Sequence, residues 1–327
     1  MKLMKTQDFN PFIFYCSQLQ NHLTEAAKQK NPALWLHKNG ARTLFFMLEG
    51  LTRLHDKSFD EKLFSKWHKR FKKMEDVFGE IDYYLWIEQE FKINKKINTV
   101  IISKVTDKAN KCIEKCNKRL TEKDWLNKRV PSFIEKLDEY SNDYNKAYLH
   151  ELKIALTEEI EDIVILLEKN NFTLTLLEDE LHELRRRFRW LSIYAQALNG
   201  LIQLKDNKRK NSYAINYQTK EILNSPYNKL PVKPKHTALI EYDKDSFYAL
   251  SWLINYLGNL KDTGMKLESL TKYIFEFEDL TEAMAMDKAC KILGLKNTTQ
   301  EDILKDASDV LRKFVLQDKI LNTLLVK

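Results

Sequence analysis

The chain is short of turn formers: its 327 residues hold seven glycines and six prolines. No proline lies between Ala33 and Val130, nor between Ser132 and Ser225. This scarcity argues against a turn-rich β fold, because tight turns draw on those two residues. Cysteine is equally sparse, and the four, at 16, 112, 116 and 290, form no disulfide framework. Cys112 and Cys116 stand one helical turn apart with no further ligand on their helix, so they read as buried apolar residues and not as a metal site. The longest aliphatic run, Ile163 to Leu167, is too short to span a bilayer. The first residues lack the apolar stretch of a signal peptide. No membrane insertion is expected, and cytoplasmic residence is the default. Catalytic motifs are missing too: no Gly-rich phosphate loop, no His-Glu-x-x-His, no nucleophile elbow. A di-iron bundle needs Glu-x-x-His twice, and only Asp179 with His182 approaches that spacing. Neither catalysis nor a cofactor or metal is expected.

What is present is helix. Apolar residues recur with a period of 3.6 near 12–30, 33–55, 60–89, 91–119, 132–168, 174–204, 245–261, 264–293 and 299–325. Several boundaries carry signals. Pro32 after Asn31 suits a first helical turn, Gly294 suits a helix end, and Thr299 with Asp302 forms a capping box with aspartate in the usual glutamate position. The fold class is all-α. One stretch, 205–244, lacks period and holds Pro226, Pro231 and Pro234; it reads as a functional loop or a disordered excursion.

Charge is uneven. The formal net charge is +7, and residues 92–119 alone carry nine Lys or Arg against Asp107 and Glu114. Lys104, Lys108, Lys111 and Lys115 recur at helical spacing on one face. Like charges at that spacing repel by a few tenths of a kcal/mol per pair, which an anion would relieve. A solvated face is the plain alternative. Lys62, Lys66, Lys69 and Lys73 form a second strip, flanked by acids that explain it by internal pairing.

The densest cluster is His182-Glu-Leu-Arg-Arg-Arg-Phe-Arg-Trp190. On a continuous helix His182, Arg185, Arg186 and Arg189 share a face, while Leu184, Phe188 and Leu191 turn to a core. Arginine grips phosphate oxygens with two donors at once, so this strip suits a polyanion.

His182, Arg185 and Arg189, together with Leu257-Gly258-Asn259-Leu260-Lys261-Asp262, resemble the paired signatures of the CHAD family, the conserved histidine α-helical domains. Ser192 replaces the arginine usual ten residues after the histidine. A fainter echo lies earlier, in Leu36-His37 and Phe78-Gly79-Glu80-Ile81-Asp82-Tyr83. Behind His37 the third, seventh and tenth residues are Gly40, Leu44 and Met47, where the family is basic. From His37 to Gly79 is 42 residues and from His182 to Gly258 is 76, so 205–244 has the length of an insertion into the second copy.

The resemblance implies two antiparallel helical bundles related by a pseudo-two-fold repeat, residues 1–170 and 171–327. It further implies a non-enzymatic module that binds inorganic polyphosphate or a similar phosphate-rich anion, with His37 joining the His182 strip and the lysine stripe supplying field. The alternative is a helical scaffold or protein-interaction domain that has lost much of the anion channel. Nucleic acid shares the charge argument but has no reading motif here.

Overall fold

A computed structural model of the chain describes residues 10–59, 62–139, 146–206, 211–233, 239–295 and 299–325. Among them thirteen α-helices follow in order: α1 (Pro11–Ala26), α2 (Pro32–Lys38), α3 (Ala41–Phe59), α4 (Lys62–Ile93), α5 (Thr99–Glu122), α6 (Arg129–Glu139), α7 (Lys146–Lys169), α8 (Glu183–Ala197), α9 (Lys220–Asn224), α10 (Lys244–Phe277), α11 (Glu282–Leu293), α12 (Gln300–Arg312) and α13 (Leu321–Leu324). A π turn over Leu177–His182 leads directly into α8. The chain is mostly helical, as its composition predicts.

Local chemistry sets most helix starts. The Asn10 side chain accepts from the Phe12 and Ile13 amides ahead of Pro11, and Asn31 caps α2 in the same way ahead of Pro32. Asn98 caps α5 and Thr281 caps α11. The Thr299–Asp302 box is present in both directions, and Gly294 closes α11.

Several boundaries differ from the expected ones. The segment expected over 33–55 divides at Asn39–Gly40, where Gly40 takes a φ of +73°. The helix expected over 132–168 is two, α6 and α7, with 140–145 outside the described residues. The helices expected over 245–261 and 264–293 are instead one long α10 followed by α11. Gly264 does not interrupt α10; a Cβ there would stand 2.7 Å from Leu177, so the small residue serves packing against the π turn. Two four-residue strands are also present: β1 (Ile202–Lys205) pairs in parallel with β2 (Ile240–Asp243), Ile202 opposite Ile240. Four residues are too few for an alternating pattern to stand out in sequence. The pair closes the base of the unpatterned 205–244 stretch, which leaves and rejoins the helical body at adjacent strands.

The main apolar core runs through both halves of the chain, with Leu19, Phe45, Phe78, Phe133, Leu152, Phe188, Leu250 and Leu311 all fully buried. Each such side chain contributes about 1.5–3 kcal/mol relative to exposure. Cys112 and Cys116 belong to this core, and burial pushes the Cys116 thiol up to about 12. The two longest helices, α4 and α10, extend past it. Their C-terminal ends join α5 and α11 in a second, smaller core built on Ile87, Phe91, Ile101, Leu270 and Ile274. Among the described residues no helix is long and apolar enough to cross a membrane.

Candidate functional site

A cavity of about 1020 Å³ opens between α2, α3, α8 and α10, with α9 and the turn after it as the remaining wall. The elements around it place a distinct set of side chains. Gly40 turns the chain from α2 into α3, so that His37 and Arg42 both reach the cavity from opposite sides of the turn. From α8 come Arg185 and Arg189, one turn apart, and from α10 come Ser251, Ile254 and Asn255.

The cations of this cavity fall into two kinds. Arg42 is paired: its Nε and Nη2 donate to Glu75 Oε1 at 2.9 and 2.6 Å, and its Nη1 donates to Asp82. Burial works against the Arg42 charge, but Glu75 and Asp82 outweigh it and hold the guanidinium above its ordinary value. Asp82 also receives His37 Nε2 in a short hydrogen bond. Burial alone would raise the Asp82 carboxyl, yet the His37 bond and the Arg42 charge together keep it below the usual carboxylate range.

Arg185 and Arg189 are different. Among the described residues neither forms an ion pair. Arg185 Nε donates to the Ile254 carbonyl at 3.2 Å, and the Arg189 guanidinium lies over the Phe46 ring at 4.4 Å. Burial lowers the Arg185 guanidinium, with Arg42 adding to the effect and Asp262 opposing it. Burial, then the charges of Arg185 and Arg42, bring Arg189 down to about 10. Two half-buried cations without a carboxylate partner are costly in the free protein, and a bound anion would relieve both.

Two glycines make room for these arginines. A Cβ at Gly258 would stand 3.0 Å from both Nε and Nη2 of Arg185, and a Cβ at Gly79 would stand 2.9 Å from Arg42 Nη2. Each guanidinium thus turns its nitrogen edge to a helix that carries no side chain at the point of contact.

The cavity brings together His37, Arg185 and Arg189 from the expected set and leaves the others outside its lining. His182 ends the π turn, with Nδ1 3.0 Å from Glu178. Its ring is engaged with Glu178 and does not line the cavity. Arg186 lies about 100° round the helix from Arg185 and sits 3.6 Å from Glu183. Lys104, Lys108, Lys111 and Lys115 occupy the exposed face of α5; Lys115 pairs with Glu80 at 2.8 Å, and Lys104 lies 5.8 Å from the Phe277 ring. None of the four lines the cavity.

No family model, curated protein or solved structure matches this chain. Among the described residues no group of three His, Cys, Asp or Glu side chains is placed to hold a metal.

Sequence reasoning passes over Arg42, Lys220 and Tyr227. Counting three, seven and ten residues from His37 assumes one helix, whereas the Gly40 turn makes Arg42, five residues on, the arginine that meets Gly79. The signal was the Asn39-Gly40 pair, a common helix stop. Lys220 and Tyr227 lie in the stretch without period, where spacing carries no information. That stretch is nonetheless built into the wall. Gln196 Nε2 donates to the Tyr227 carbonyl at 2.8 Å; the buried Asn228 donates to the Ile222 carbonyl at 2.7 Å and accepts from Ser251.

Proposed function

We propose that this chain is a non-enzymatic binding module for inorganic polyphosphate or a similar phosphate-rich anion, held in the cavity by Arg185 and Arg189. The observation that carries the reading is the pair of half-buried guanidinium groups that line a large cavity without an ion pair among the described residues. Lys220, exposed at the start of α9 and also without an ion pair among the described residues, adds a third cation at the rim.

The CHAD-like repeat draws support from the two arginine–glycine contacts. Arg42 on Gly79 and Arg185 on Gly258 occupy matching places in residues 1–170 and 171–327, as two bundles related by a pseudo-two-fold would require. The matching acids differ in their partners: Asp82 holds Arg42, while Asp262 lies 2.8 Å from Lys261. The first half therefore neutralises its arginine and the second half leaves its own free. A helical scaffold that has lost much of the anion channel is the second reading, and the neutralised Arg42 is what favours it.

A salt titration of binding to polyphosphate, beside single-stranded nucleic acid, tests the proposal. Each phosphate contacted lowers log affinity by about 0.7 per decade of salt, by analogy with single strands. Arg185, Arg189 and Lys220 therefore set a slope of about two. A slope of roughly four or more would bring the α5 lysines into the track. No binding of polyphosphate at moderate salt, with a stoichiometric protein partner recovered instead, decides for the scaffold. Preference for nucleic acid at every salt concentration overturns the ligand class.

A further inference from the structure

The cavity is not charged throughout. Beside the cations Arg42, Arg185, Arg189 and Lys220 and the acids Asp82 and Glu221, its lining includes the uncharged Met47, Ile222, Pro226 and Tyr227. A bare phosphate chain laid against Met47, Ile222 and Pro226 would surrender water around its oxygens and receive no side-chain donor in return, which is costly. An uncharged organic group would lose little there and would bury apolar surface.

Tyr227 sharpens the point. It is 73 % exposed, unusual for a large ring at the edge of a cavity, and no aromatic or cationic side chain among the described residues covers it. Its exposure is not the looseness of a surface loop. The Gln196 amide holds its carbonyl, Ser225 Oγ accepts from its amide at 3.3 Å, and Asn228 next to it is buried against α10. Tyr227 and Arg189 line the same cavity. An uncovered aromatic ring on a held backbone, in one cavity with a guanidinium that lacks an ion pair, suits a flat ring joined to a phosphate. The lining also holds the neutral groups of Ser251, which donates to Asn228, and Asn255, which donates to Glu221 at 3.4 Å; their remaining polar atoms suit hydroxyls of a linking moiety. The volume, about 1020 Å³, reaches the upper end of what drug-sized ligands occupy.

We propose that the cavity takes a phosphate ester of nucleotide size, with its phosphates at Arg185 and Arg189 and a flat organic ring against Tyr227. This rests on the anion reading of the same cavity and narrows it from a polymer to a compact, amphipathic ligand.

Titration calorimetry on the full chain with adenosine diphosphate and inorganic pyrophosphate, which share a phosphate count, tests it. Adenosine diphosphate is expected to bind about ten-fold more tightly or better, the worth of one stacked ring. Tyr227→Ala should remove most of that preference and leave pyrophosphate affinity unchanged; as Tyr227 is exposed, the melting temperature should stay at the wild-type value. Equal affinities for the two ligands in the wild type overturn the ester assignment while leaving the anion reading standing. Failure of both ligands to bind overturns both. A preference that survives Tyr227→Ala removes the ring from the site and contradicts the assignment.

Discussion

The Arg185 guanidinium rests on Gly258, so closely that a single methyl group there would come within 3.0 Å of two of its nitrogens. Gly258→Ala should therefore separate stability from function. Alanine in a helix interior gains about 0.5–1 kcal/mol over glycine, and the displaced atoms belong to the end of a flexible side chain. The variant should melt at or slightly above the wild-type temperature while anion affinity falls about ten-fold. Loss of stability with affinity intact would mean that Arg185 does not need the room left at Gly258.

Arg189 is held down to about 10 by burial and by two neighbouring arginines. A cation whose folded value lies below its unfolded one costs stability at every pH below the folded value, here roughly 3 kcal/mol. Arg189→Met keeps the length of the side chain and removes that cost. Chemical denaturation of the free protein should show a gain of about 1–3 kcal/mol, accompanied by loss of anion binding. A destabilised variant would contradict the view that the charge is uncompensated.

Asp82 ties His37 and Arg42 together and takes the first arginine out of play. Its carboxyl lies below the usual range in the fold, so its stabilising contribution is complete above the unfolded value and is lost as pH falls through the folded one. Asp82→Asn should weaken the fold at neutral pH and flatten its acid sensitivity below about pH 4. It should also strengthen anion binding several-fold, because Arg42 then keeps only Glu75. Unchanged affinity would place Arg42 outside ligand contact.

Glu49, 1 % exposed on α3, has Oε2 without a hydrogen-bond partner, and burial together with the Glu75 charge pushes its carboxyl up to about 8. The folded state therefore binds a proton that the unfolded state releases above its ordinary value of 4.5. Stability falls as pH rises between those two values, by at most about 1.4 kcal/mol per pH unit. Glu49→Gln should remove that decline, so denaturation midpoints at pH 5 and pH 8 draw together in the variant. Parallel declines in both proteins would contradict the assignment.

Much of the helical body is legible in the sequence because helix has few rivals where glycine and proline are scarce. Caps such as Asn31 and Thr299 announce themselves by local hydrogen bonding that needs no tertiary context. What spacing misreads are interruptions and continuations. Gly264 resembles a break yet packs inside α10, while the π turn before Glu183 leaves no mark in the residue pattern, and His182 at its end pairs with Glu178 outside the cavity that Arg185 and Arg189 line. Charge density is a poor guide to the site for a related reason. The α5 lysines are the most concentrated cations and lie in solvent, whereas Arg42 is a single residue whose neighbours arrive from α4 across a turn. The wall from Lys220 to Tyr227 follows no period, and side-chain hydrogen bonds to distant helices are what hold it in place.

The most direct measurement is calorimetric titration of inorganic tripolyphosphate into the wild-type chain and into the Arg185→Met, Arg189→Met double variant, each checked for folding by circular dichroism. Two charge-assisted contacts of about 1.5–3 kcal/mol each predict that the double variant binds at least about a hundred-fold more weakly or not at all, with helicity unchanged. Equal affinity in the two proteins would contradict the assignment of this cavity as the anion site.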